Sequence, residues 1–330
     1  MVFEGAEYLP LVGKTLSTAE KTTLQCSIPL LSSHYHCPAT FWGKVTGYRG
    51  DYLIAQVSPN GFFGPRVSFF SINGGATWTL LEDVEERQAK FCEQIRGVYQ
   101  GNPDYAYKIR HDIPPESEPE VEIPPLDDDL NQAKDALESA AKQAASEDGG
   151  ETDEEDEMEE EEGDEEEERE PTPPRRRVNK PKFMIVAIKE STRLAHFIQL
   201  HDAACRLVVR GEYVLRGDAV GERNQNFSGH HLLHALKPSC YLKAHARGCP
   251  ERNAVLYGST YNAHTDYLLP ITEDMPQGVW TVKHDTTMNL VVVENLFFDG
   301  SLFWYKPGTL ERGQVYYGSG ERNFELCLQF

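Results

Sequence analysis

No stretch of this 330-residue chain approaches the ~18 consecutive apolar residues that a membrane-spanning helix requires. The opening MVFEGAEYLP lacks the basic start and apolar core of a secretory leader. Cysteine is sparse: seven residues, at 26, 37, 92, 205, 240, 249 and 327, with no Cys-x-x-Cys pair. An odd count without paired spacing predicts neither a disulfide scaffold nor a zinc ribbon. Positive charge is short as well, 32 Lys and Arg against 53 Asp and Glu, for a formal balance of −21. Polyanion binding calls for a basic stripe, and only one short basic cluster is present. These absences predict a soluble intracellular protein with reduced thiols and no nucleic-acid or membrane partner.

The acidity that is present belongs to one segment. Between Asp112 and Pro173 there are 28 acidic and 3 basic residues, while the rest of the chain holds 25 acidic and 29 basic. Five of those basic residues crowd into 175–182. The segment opens with prolines, passes through an alanine-rich stretch from Asp127 to Glu147, and becomes almost pure acid from Glu151 to Glu170. Self-repulsion and the lack of apolar residues predict a long disordered acidic insertion over 112–182. The basic cluster fits the solvated edge of that insertion better than a nuclear-import patch.

Outside it the chain has the texture of a packed fold. Ser17 and Glu20 have capping-box spacing, and Leu24, Ile28 and Leu31 recur at helical intervals, with Pro29 expected to end or kink the helix. From Phe41 the pattern turns to strands. Trp42–Tyr48 and Tyr52–Val57 flank the turn Arg49-Gly50-Asp51, and Val67–Ile72 and Thr77–Leu81 flank Asn73-Gly74-Gly75. Helices are predicted over 82–96, 192–206 and 228–237. Strands are predicted over 183–188, 207–215, 279–284, 289–298, 302–306 and 314–318. Leu290–Val293 is continuously apolar, as in a strand buried on both faces. Strands and helices do not alternate regularly, so the expected fold is α+β: a β-rich mixed fold with a few packed helices. It divides into an N-terminal helical segment (1–40), a first part of the main domain (41–111), the insertion (112–182) and a second part (183–330).

Catalytic patterns are missing. There is no Walker-type phosphate loop and no Gly-x-Ser-x-Gly elbow, and Gly318-Ser319-Gly320 lacks the third glycine of a dinucleotide turn. His34, His36 and Cys37 lie close together near Cys26, and His230, His231 and His234 form a second cluster. Zinc proteases place a glutamate directly after the first histidine, and here that position is His231. No cofactor or metal is expected. The suggestive residues are aromatic: Trp42, Tyr48, Tyr52, Trp304, Tyr305, Tyr316 and Tyr317 all fall in strand segments, where they serve as core or as interface anchors.

Several phrases together resemble the radial spoke head protein family. FWGKVTGYRGDYLIAQV (41–57) is similar to its Trp-Gly-(Lys/Arg)…Asp-Tyr-x-Ile-Ala signature, and FFSINGGATWTLLE (69–82) to its strand-turn-Trp segment. GVYQGNPDYAY (97–107), IKESTRL (188–194), MPQGVWTV (275–282), LVVVENLFFDGSLFWY (290–305) and VYYGSGERNFEL (315–326) follow in the family's order. Members 4 and 6 of the family are longer, and the stop at Phe330 points to a shorter member. The resemblance implies a non-catalytic structural subunit of the axonemal radial spoke head in a cilium or flagellum, within the cytoskeleton. It implies a role in head assembly and in relaying central-pair signals that regulate motility. The implied partners are radial spoke head proteins 4 and 6 and the MORN-repeat subunits 1 and 10, with the central pair projections met indirectly. The insertion would then form a hydrated negative brush on the head surface. Two competing expectations are a nuclear acidic histone chaperone acting through Glu151–Glu170, and a metal-dependent enzyme using the histidine clusters.

Overall fold

A computed structural model describes residues 6–112, 183–216 and 220–328. Residues 113–182 of the expected insertion lie outside the described residues. The fold is α+β and β-rich, as the sequence texture predicts. The chain groups into two units, Met1–Arg110 with Ile185–Phe330, and His111–Met184. The elements below belong to the first, apart from the outer ends of the two strands that flank the insertion.

Eight strands form one mixed sheet in the order β12-β13-β14-β15-β1-β2-β3-β4. The N-terminal half comes from β1 (Ala39–Val45), β2 (Tyr52–Val57), β3 (Val67–Ser71) and β4 (Thr79–Leu80). The C-terminal half comes from β12 (Trp280–Asp285), β13 (Leu290–Asn295), β14 (Ser301–Tyr305) and β15 (Arg312–Gly318). Neighbours within each half are antiparallel. The halves meet where β1 and β15 pair in parallel, with Gly43 opposite Tyr316. Parallel neighbours need a long crossover, and here nearly the whole chain supplies it.

Alternation along the strands feeds two cores. Phe41, Leu53, Ala55, Phe69 and Val315 face α1 (Thr18–Tyr35), which contributes Leu24, Ile28 and Leu31. The intervening residues Trp42, Tyr52, Ile54, Phe70 and Tyr316 face the opposite way, onto Leu194, Phe197 and Ile198 of the helix at Glu190–Cys205. With a helix on each side, all six residues of β2 are buried. The predicted capping box at Ser17 and Glu20 forms. Lys44, only 7% exposed, joins Glu20 of α1 to Asp51 of the first hairpin turn, each at 2.8 Å. Asp51 also accepts from the Gly47 amide, so its carboxylate is committed to the turn.

The remaining elements are smaller. α2 spans Glu86–Cys92. β5 (Ala106–Asp112) and β6 (Phe183–Lys189) pair with each other on either side of the insertion, and β6 leads directly into α3 (Glu190–Cys205). β7 (Leu207–Val209), β10 (Tyr241–Arg247) and β11 (Leu268–Pro270) make a three-stranded sheet, and β8 (Tyr213–Arg216) pairs with β9 (Val220–Arg223). Leu207, Val209 and Tyr241 pack with Val291, Val293, Phe303 and Tyr305 in a third core. The short helices α4 (Leu232–Ala235) and α5 (Pro250–Tyr257) lie in this region.

Three local expectations are corrected. The helix predicted over 228–237 shrinks to α4, because the preceding residues are engaged elsewhere. The His230 amide donates to the Tyr305 hydroxyl, and Gly229 sits at φ +98° against the Thr309 backbone. α1 runs through Pro29 to Tyr35, so the first of the two effects expected of Pro29, an end to the helix, does not occur. Pro29 and Gln25 are both exposed, so the carbonyl deprived of its amide partner faces water. The helix predicted over 82–96 is confined to α2.

One close approach gives a direct prediction. A Cβ on Gly43 would run into the Tyr316 carbonyl across the parallel junction. Gly43→Ala should therefore cost about 3 kcal/mol or more, as overpacking of an unyielding backbone contact. A denaturant titration reads this directly, and an unchanged midpoint would refute it.

Candidate functional site

The first helical turn of α3 carries Glu190, which is 0% exposed. A carboxylate there would be ruinous without partners, since burial penalises the charged form. Five donors meet it. The Tyr52 hydroxyl on β2 reaches Oε1 at 2.6 Å, and the Tyr107 hydroxyl on β5 reaches Oε2 at 2.5 Å. Three backbone amides of the loop before β5 complete the set: Gln100 at 2.8 Å, Gly101 at 2.8 Å and Asn102 at 3.1 Å. Successive inward-pointing amides form an anion nest, and a first-turn acid also suits the helix dipole.

The loop is held in this shape from both sides. Its carbonyls at Tyr99 and Gln100 accept from Tyr48 and Arg49 of the hairpin turn, while Pro103 and Tyr105 accept from Ser191 and Glu190. Gly101, at φ +82°, packs directly on the Gly50 backbone, where a side chain has no room. Arg193, one turn beyond Glu190, closes the loop's other end. Its Nη2 donates to the Gly97 carbonyl at 2.6 Å and to Glu321 at 2.9 Å, and its plane lies over the Tyr99 ring at 4.2 Å.

The electrostatics follow from this geometry. Burial pushes the Glu190 pKa upward, but the bonds from Tyr107, Tyr52 and the amides outweigh it and hold the group below the ordinary glutamate range. Burial, followed by the bond to Glu190, raises Tyr107 to about 12 and Tyr52 further. A carboxylate that accepts five hydrogen bonds has no free lone pair for proton transfer to a substrate. The arrangement is that of a fixed joint between β2, β5, α3 and the C-terminal segment.

The seven sequence-predicted aromatics separate by burial. Trp42, Tyr52, Trp304, Tyr305 and Tyr316 are at most 6% exposed. Each of four has a polar role besides packing. Trp42 donates to Asp202 at 2.7 Å, Tyr52 donates to Glu190, Tyr305 accepts the His230 amide, and Tyr316 accepts the Gly320 amide. Tyr317 is half-buried, with the Lys14 and Lys44 ammonium groups 5.8 and 5.5 Å from the centre of its ring. Tyr48 stands apart at 81% exposed. Of the histidines, His230 bonds through Nε2 to the Arg210 carbonyl at 2.7 Å. Among the described residues, no group of three or more His, Cys, Asp or Glu is placed to hold a metal. No described helix is long and apolar enough to cross a membrane.

Sequence reasoning assigned no role to Glu190, Arg193 or Glu321. The usable signal was an acid in the first turn after an apolar strand, followed three residues later by an arginine, with a glycine-bracketed loop upstream. The phrases 41–57, 97–107, 188–194 and 315–326, noted for their resemblance to spoke head proteins, supply the members of this joint.

That convergence is matched by the comparison of whole sequences. No protein-family model matches the chain. Curated relatives do, and all those compared carry radial spoke head names. The chain is 25% identical over 315 residues to the human "Radial spoke head protein 9 homolog", covering 95% of this chain and 93% of the human protein. It is 25% identical over 316 residues to the Danio rerio protein of the same name, and 24% over 322 residues to that of Xenopus tropicalis. The resemblance read from the motifs therefore extends nearly end to end.

Proposed function

We propose that this chain is a structural subunit of the radial spoke head in a motile cilium or flagellum. The observation that carries the reading is the similarity to radial spoke head protein 9 homologs along 95% of its length. The saturated joint at Glu190 supports a non-enzymatic role, because its polar groups are spent on fixing the fold. In this role the protein sits in the axoneme, contributes to head assembly, and helps relay central-pair signals to the motility machinery. Radial spoke head proteins 4 and 6 and the MORN-repeat subunits 1 and 10 are its proposed neighbours.

Partner contact needs exposed anchors, and the surface offers them. Tyr48 projects from the first hairpin turn, and Leu233 and Val255 on α4 and α5 are 78% and 86% exposed. Apolar and aromatic residues displayed on rigid elements suit interfaces.

Affinity capture of the tagged full chain from salt-extracted axonemes, read by mass spectrometry, tests the proposal. Co-purification of proteins 4, 6, 1 or 10 in stoichiometric amounts is expected. Recovery of histones instead, or absence of the chain from the axoneme, would overturn it in favour of the acidic tract as the functional element.

A further inference from the structure

Arg206 closes the C-terminal end of α3 and is 3% exposed. Its Nη1 lies 3.2 Å from Nε2 of His245. Burial first, and then the nearby Arg206 charge, lowers the His245 pKa, so the neutral imidazole serves as acceptor. The guanidinium stacks on the Phe62 ring at 3.9 Å. Its other two nitrogens, Nε and Nη2, are buried and have no acceptor among the described residues. Nε and Nη2 share one edge of the guanidinium, and their parallel N–H bonds form the fork that fits two oxygens of one oxyanion.

The surroundings sharpen the imbalance. Arg66 and Arg312 also lie near the Phe62 ring, at 5.7 and 4.7 Å. Arg312 is neutralised by Glu212 at 2.5 Å. Among the described residues Arg66 has only Gln56 as a hydrogen-bond partner, and its Nε is buried without an acceptor there. Among the described residues, neither Arg66 nor Arg206 has a carboxylate within ion-pair distance. Asp202 lines the same cleft and its buried carboxylate supports both arginine charges, but its oxygens accept from the Trp42 indole and the Gln56 amide at 2.7 and 2.6 Å and leave the Arg206 fork without an acceptor. Burial, and then the Arg66 charge, brings Arg206 down to about 9. One carboxylate beside two buried guanidinium groups leaves a net positive charge, and the two unused Arg206 donors are costly unless an oxyanion meets them.

Both arginines line a cleft of about 630 Å³ between β3, the β4 edge and α3, and both also line a second cleft of about 360 Å³. Val67, Leu80 and Ile198 form apolar walls of the larger cleft, and the exposed Glu82 and Asp83 stand at its rim. We propose that Arg206, assisted by Arg66, is an oxyanion-binding site that takes a carboxylate or a phosphate group from the larger cleft. The Nε–Nη2 edge of Arg206 makes the bidentate contact, and Arg66 supplies the second charge. The proposal does not depend on the spoke-head reading.

The test is thermal unfolding of the full chain in sodium phosphate, in sodium acetate and in sodium chloride at matched ionic strength. A rise of about 4 °C over chloride is expected when phosphate or acetate stands at ten times its Kd. Response to phosphate alone identifies a phosphorylated group as the source, and response to acetate identifies a protein carboxylate. Arg206→Met should abolish the rise while leaving stability in chloride unchanged or higher, because it removes an unpaired buried charge. Arg206→Lys should weaken the response, since a point charge lacks the fork. No rise with either anion, or an undiminished rise in Arg206→Met, would overturn the proposal. Should Arg206→Met not fold, the Arg206 Nε–H resonance of the native chain serves instead: it must shift on addition of inorganic phosphate or acetate and not of chloride, and a resonance unmoved by both oxyanions is the overturning result.

Discussion

Glu190→Ala should lose about 4 kcal/mol or more and leave little folded protein at 37 °C. The truncation strands two hydroxyls and three backbone amides around a cavity. Each unsatisfied buried donor costs about 1–3 kcal/mol, so even with partial hydration the sum is a large part of the ~5–15 kcal/mol that holds a domain together. Glu190→Gln should be milder, about 2–3 kcal/mol, because one amide oxygen still accepts while the NH2 group faces donors. The pair also separates charge from shape through pH. The folded pKa of Glu190 lies below its ordinary value, so its contribution is fully present above the unfolded pKa of about 4.3 and fades as pH falls through the folded value. Denaturant midpoints taken from pH 6 downward should thus fall less steeply for Glu190→Gln than for the native chain. Equal slopes would show that the carboxylate is not the anchor of this joint.

Local features were legible in the sequence, and partnerships were not. The capping box at Ser17 and Glu20 needs only four residues of context and formed as read. The hairpins around Arg49–Asp51 and Asn73–Gly75 followed from turn chemistry. The continuous run Leu290–Val293 correctly signalled burial on both faces. By contrast, the parallel pairing of β1 with β15 joins residues more than 250 positions apart, and alternation of apolar residues does not name a strand's neighbour. β10 is hard to read because its buried residues Tyr241, Leu242 and Ala244 are followed by His245, Ala246 and Arg247, which break the apolar pattern and are of low strand propensity. The Glu190 joint was missed for the same reason as the parallel pair. Its five donors come to α3 from β2, the 100–102 loop and β5, and three of the five are backbone amides, which leave no trace in residue type. The acceptor-poor fork of Arg206 was equally invisible, since an arginine at a helix end reads as a favourable surface charge until burial shows otherwise.

The second large effect concerns assembly and should leave the fold untouched. Leu233 and Val255 sit on short helices anchored to the same segment. The Ala235 carbonyl of α4 accepts from the Tyr241 hydroxyl at 2.6 Å, and Tyr257 of α5 donates to the Ser239 carbonyl at 2.8 Å. Leu232 turns toward the third core, which leaves Leu233 facing out. Both helices thus hold their exposed apolar residues at fixed positions, which lowers the entropy lost on docking. The double change Leu233→Asp with Val255→Asp places two charges in the middle of the proposed interface. At such exposed positions the cost to folding is within about 1 kcal/mol for the pair. Burial of both charges at an interface core should weaken incorporation by about 30-fold or more. Tyr48→Ala, in the first hairpin turn and not on α4 or α5, provides an independent arm. The expected result is a double variant with a native unfolding midpoint that fails to co-purify with spoke heads. A double variant that enters axonemes at the native level would remove α4 and α5 from the proposed interface and leave Tyr48 as the remaining candidate.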